Sequence, residues 1–123
     1  MVGGRALLSR YYPEKIVLEF QEIISFFPEK PRLAIVAGSG WDEVVEGELI
    51  DEFSYPSLGI PFLPEVEGHA GKLQLLKKNN FIFLLFSGRL HLYQGYSFFE
   101  VTLPVLFSYL AGVEAIILTN AAG

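Results

Sequence analysis

Two short runs of unbroken apolar residues constrain this chain more than anything else in it. Leu33-Ala34-Ile35-Val36-Ala37 and Ala115-Ile116-Ile117-Leu118-Thr119 are too short for core helices and carry no polar alternation. A strand with one wet face alternates apolar and polar residues; one without alternation reads as covered on both faces, the mark of a parallel sheet in an α/β fold. Each run passes into small residues, Gly38-Ser39-Gly40 after the first and Asn120-Ala121-Ala122-Gly123 after the second. Open α/β sheets place their ligands at this carboxyl end of the strands.

The segments between the two runs supply the remaining elements. Pro13 suits a first helical turn, and Ile16, Phe20, Ile23, Ile24 and Phe27 follow at helical spacing. An amphipathic helix is therefore expected over 13–27, stopped by Pro28 and Pro31. The stretch 47–55 reads as a second, less regular strand, and Pro56, Gly59, Pro61 and Pro64 impose a loop after it. Apolar segments at 73–77 and 81–86 flank Asn79-Asn80, and asparagine tolerates the positive φ of a hairpin turn. Ser97 and Glu100 have capping-box spacing, which predicts a helix running to Leu110, bent at Pro104 and ended by Gly112. The expected fold is α/β: a mixed central sheet flanked by helices on both faces, with residues 1–123 as part of a single domain. The last buried strand is followed by only four residues, so the expected chain is interrupted after a core strand.

Composition removes several function classes. The net charge of −5 and the absence of any basic cluster larger than Lys77-Lys78 give nucleic acid no general attraction. An anion bound here must be held locally. Without cysteine there is no disulfide and no thiolate metal site, and two histidines with scattered carboxylates offer no metal-ligand spacing. The longest apolar runs, such as 81–86, fall far short of the roughly 20 residues that cross a bilayer. Residues 1–10 lack the apolar core of a signal peptide, and a cytoplasmic location is expected.

Four segments could carry chemistry. Gly38-Ser39-Gly40 allows backbone N–H groups and a hydroxyl to approach an anion, or it is simply a tight turn. It is neither a dinucleotide fingerprint nor a Walker loop, since Glu43 stands where a third glycine belongs and no Gly-Lys pair follows. His69, between Gly68 and Gly71, is either a ligand-approaching histidine or an exposed loop residue. In Gly88-Arg89-Leu90-His91-Leu92-Tyr93-Gln94-Gly95-Tyr96, the residues Arg89, His91 and Tyr93 share one side if the segment stays extended. A guanidinium, an imidazole and a phenol in a row suit an oxyanion beside a sugar; the alternative is a solvated loop. Asn120-Ala121-Ala122-Gly123 exposes backbone N–H groups at a strand end, or is a plain strand-to-turn junction.

In this order and spacing the four segments resemble the trimeric-type purine nucleoside phosphorylase family, which includes the methylthioadenosine phosphorylases. The likeness runs from about Leu33 to Gly123 and corresponds to roughly the first half of a family member. The resemblance implies that Ser39, Arg89, His91 and the Ala121 N–H bind phosphate, that His69 lies on the loop gating its entry, and that Tyr93 meets the ribose. It places Asn120 and Ala122 near the base. Glu67 stands where the family usually has Pro, and Gln94 where it usually has Glu. The implied partners are a purine nucleoside and inorganic phosphate as co-substrate, with no cofactor. A homo-oligomer, or a second chain carrying the remaining half, is also implied. The alternatives are a methylthioadenosine phosphorylase, a non-catalytic module of the same fold that binds phosphate or a partner chain, and an unrelated flavodoxin-like domain in which His69, Arg89 and His91 do not converge.

Overall fold

The computed structural model describes residues 12–38, 45–61 and 71–119. The first apolar run forms β1 (Leu33–Ala37), the hub of a mixed sheet. It pairs in parallel with β4 (Phe81–Ser87) on one side and β5 (Ala115–Leu118) on the other. β3 (Lys72–Lys78) joins β4 antiparallel, and β2 (Glu48–Ser54) joins β3 antiparallel, giving the order β2-β3-β4-β1-β5. The hairpin turns where expected, at Asn79 (φ 50°) and Asn80 (φ 66°). The irregularity expected of β2 is a register shift between Leu49 and Asp51.

Helix α1 (Glu14–Ser25) begins one residue later than its pattern suggested. Pro13, with ψ 135°, is the extended residue before the first turn. Its apolar face buries Val17 and Phe20. The helix expected after Ser97 is two, α2 (Phe98–Val101) and α3 (Leu103–Ala111), broken at Thr102. The capping box forms, with the Glu100 N–H donating to Ser97 Oγ at 3.1 Å and the Ser97 N–H donating to Glu100 Oε1 at 2.9 Å. Pro104 does not bend one helix; it starts a second, because proline's missing N–H costs nothing in a first turn. Gly112, at φ 78°, ends α3 as expected.

The main core lies between the helices and one sheet face. Phe107 of α3 sits at its centre, with ring centroids 5.1 Å from Phe20, 5.9 Å from Phe86 and 6.1 Å from Phe27. Truncating such a ring to alanine costs about 3–5 kcal/mol. Ala34, Val36, Leu73, Leu75, Leu84 and Phe86 meet it from the strands. The opposite face holds a smaller cluster of Ala37, Leu76, Phe83 and Leu85, so among the described residues the helices cover one face and not both.

β5 also departs from expectation. It is apolar yet exposed, with Ile117 at 47% and Leu118 at 53%. Only Ile116 reaches the core cluster, because β5 is the outer strand of the described sheet and leans on β1 alone. Among the described residues no helix is long and apolar enough to cross a membrane.

Candidate anion site at the ends of the parallel strands

Because β1, β4 and β5 run parallel, their carboxyl ends arrive side by side. Ala37 is level with Ser87, and Val36 with Leu118. The chain leaving each strand is then cross-tied to its neighbours. The Gly88 N–H donates to the Ala37 carbonyl at 3.3 Å, and the Thr119 N–H to the Val36 carbonyl at 3.0 Å. The Gly38 N–H donates to Thr119 Oγ1 at 2.9 Å. Arg89 Nη1 donates to the Thr119 carbonyl at 3.1 Å. Arg89 is thereby tied to the end of β5, and a guanidinium presents its donors in a fixed fork that matches an oxyanion.

Gly88 carries φ 111°, a conformation that side-chain-bearing residues rarely adopt. Its carbonyl accepts from Tyr55 Oη at 2.6 Å. Tyr55 is fully buried, and burial pushes its phenol far above the ordinary value, so it stays protonated and remains a donor. Ser87, also buried, has no hydrogen-bond partner for its hydroxyl among the described residues.

The segment from Arg89 onward stays extended only as far as His91 (φ −123°, ψ 143°). A 3-10 turn over Leu92–Gln94 follows and closes at Gly95, φ 93°. The expected extended run through Tyr93 is therefore corrected. The Gln94 side chain accepts the His91 N–H at 3.0 Å, while the Gln94 N–H donates to the His91 carbonyl at 3.1 Å, and these bonds fold the chain back. Tyr93 nevertheless meets His91, its ring stacked on the imidazole at 4.9 Å and 16°. At 83% exposure Tyr93 offers most of its surface outward.

Of the residues expected at the site, Arg89, His91 and Tyr93 lie together on this one segment leaving β4. Ser39, His69, Asn120, Ala121 and Ala122 lie outside the described residues, and so does the expected convergence of Ser39 with Arg89 and His91. Sequence reasoning missed Tyr55 and Thr119. A hydroxyl closing an apolar strand was a legible sign for Thr119. Nothing local marks Tyr55, whose burial depends on strands distant in sequence.

No family model matches this chain. Curated relatives do. A purine nucleoside phosphorylase of Bos taurus is 38% identical over 103 residues, covering 82% of this chain and 35% of the relative. Purine nucleoside phosphorylase 1 of Bacillus subtilis is 42% identical over 102 residues, covering 78% of this chain and 36% of the relative. Among solved structures, the Schistosoma mansoni purine nucleoside phosphorylase in complex with acetate superposes with a TM-score of 0.70 at 29% identity, covering 89% of this chain and 41% of that one. A purine nucleoside phosphorylase in complex with ribose-1-phosphate gives a TM-score of 0.67 at 29% identity, covering 92% and 42%. The chain thus spans little more than a third of the length of the curated relatives it matches. Over that length this chain is similar in sequence and in fold to the purine nucleoside phosphorylases.

Proposed function

We propose that this chain supplies the phosphate side of a purine nucleoside phosphorylase, an enzyme that converts purine ribonucleosides or deoxyribonucleosides and phosphate into free base and pentose 1-phosphate. The observation that carries this reading is the seating of Arg89 at the carboxyl ends of three parallel strands, tied to the Thr119 carbonyl and followed at once by the His91–Tyr93 stack. Phosphate would be held by Arg89 and His91, with Ser39 and the Ala121 N–H completing the cradle and His69 on the gating loop. Tyr93 would face the ribose, and Asn120 and Ala122 the base. Phosphate oxygen attacks the anomeric carbon as the bond to the purine nitrogen breaks, through an oxocarbenium-like transition state. Fixed donors orient the anion beneath that carbon, where its charge also stabilises the developing sugar cation. No side-chain nucleophile and no cofactor is required.

The working assembly in this reading is a homo-oligomer or a complex with a chain carrying the remainder of the relatives' length, and a cysteine-free sequence suits the cytoplasm. Because the chain spans about a third of its curated relatives, a second reading is a non-catalytic module that binds phosphate without turnover. Release of hypoxanthine from inosine plus phosphate separates the two. The first reading expects no release by the 123-residue chain alone and phosphate-dependent release once a polypeptide carrying the remaining part is added. Phosphate binding that never leads to release in the combined preparation would leave the second. Absence of phosphate binding would remove both.

A further inference from the structure

Tyr55 is buried in the core, yet its hydroxyl leaves that core to donate to the Gly88 carbonyl at 2.6 Å. Gly88 is the one residue between the last rung of β4 and Arg89, and at φ 111° it holds a conformation other residues rarely take. Its N–H is fixed as well, on the Ala37 carbonyl. The peptide joining Gly88 to Arg89 is thus oriented by a phenol arriving from a different part of the chain. The Tyr55 backbone is itself anchored: its N–H donates to the Gly71 carbonyl, and its carbonyl accepts from the Leu58 and Ile60 N–H groups, each at 2.9 Å. Rigid on its own side, Tyr55 can transmit position to its partner.

We infer that Tyr55 is a positioning residue for Arg89, acting through the Gly88 carbonyl to aim the guanidinium at the bound oxyanion. The inference rests on the reading of Arg89 as a phosphate donor. Burial keeps the phenol a donor, since a neutral hydroxyl in an apolar surround has no route to charge at ordinary pH. Without it the Gly88–Arg89 peptide could rotate, since glycine tolerates many other conformations. The guanidinium would then sample orientations away from the anion, and affinity for phosphate would fall although no phosphate ligand had been altered.

The test compares a parent chain carrying Ile117→Lys, which keeps it dispersed for spectroscopy, with Tyr55→Phe in the same background, which removes one oxygen and keeps the buried ring. Phe107→Leu serves as a control that loosens the same core without touching the Gly88 carbonyl. Two readouts are needed: the Arg89 Nε–H resonance in labelled protein, and the dissociation constant for inorganic phosphate. Tyr55→Phe is expected to shift or broaden the Arg89 resonance and weaken phosphate about tenfold, the equivalent of one good hydrogen bond. Phe107→Leu should leave both readouts near the parent values. An unmoved Arg89 resonance in Tyr55→Phe overturns the inference, as does an equal loss of phosphate affinity in the control. Failure of Tyr55→Phe to fold would overturn it too, by making the hydroxyl a requirement of the core. A parent chain that binds no phosphate removes the reading of Arg89 as a phosphate donor, while the Arg89 resonance still decides whether the phenol positions that side chain.

Discussion

Arg89 reaches from the end of β4 across β1 and donates to the Thr119 carbonyl at the end of β5, 3.1 Å away. One cation therefore ties the ends of two strands that lie on either side of β1, and in the proposed reading it also holds the phosphate. Arg89→Ala should weaken inorganic phosphate by about 2–5 kcal/mol, the range for deleting one partner of a hydrogen-bonded charge pair. Arg89→Lys should recover little, since a point-charge ammonium lacks the fork that spans carbonyl and oxyanion together. In an assembly that turns over, the apparent constant for phosphate should rise far more than that for nucleoside; equal rises would contradict the assignment.

Thr119 is expected to matter to stability through its hydroxyl. Oγ1 accepts the Gly38 N–H at 2.9 Å, which fixes the first residue after β1. Thr119→Val keeps the shape and leaves that N–H without its acceptor, a loss of about 1 kcal/mol, while Thr119→Ser should lose less. Chemical denaturation of the three proteins decides it. Equal midpoints for valine and threonine would mean that the bond contributes nothing.

The start of β5 is held by an ion pair whose pH dependence has a definite sign. Arg32 Nε donates to Glu114 Oε2 at 2.8 Å, and this bond, with the guanidinium charge, holds the Glu114 carboxyl below its ordinary value of 4.5. A depressed native value favours the folded state above the unfolded pKa, and the contribution disappears as pH falls through the native value. Both side chains are largely exposed, so the effect is small and weakens with salt. The difference in thermal midpoint between the parent and Glu114→Gln should be present at pH 7, smaller in high salt, and lost progressively as the pH is lowered below 4.5. A difference that persisted at low pH would assign it to packing.

Ile117 and Leu118 leave apolar surface on the outer strand of the described sheet. Exposed edges of this kind pair with other chains or aggregate. The 123-residue chain should therefore sediment as an oligomer or precipitate at micromolar concentration, and Ile117→Lys should shift it towards monomer. A parent chain that sediments as a monomer over that range would remove the expectation.

Most of the fold was legible because its signals are local. The unbroken run at β1, the Asn79-Asn80 turn and the Ser97/Glu100 cap each depend on neighbours a few residues away. The errors arose where distant packing decides. β5 reads as buried, yet its burial depends on what lies beside it rather than on its own composition. Pro104 was compatible with a bend or with a fresh start, and Thr102 leaving helical geometry settled it. At the site, the types and order of Arg89, His91 and Tyr93 were readable. The turn that folds Tyr93 back was not, because it depends on the Gln94 side chain finding the His91 N–H.

The hub position of β1 also has a consequence in time. Its partner β4 belongs to a hairpin closed by the short Asn79-Asn80 turn, whereas its pairing with β5 brings Gly38 to Thr119 across 81 residues of chain. Contacts of such separation form slowly, since the intervening loop must be closed before anything is gained. The hairpin should thus gain amide protection early in refolding. The Gly38, Gly88 and Thr119 amides should be protected together and late, so that anion affinity emerges only in the final kinetic phase.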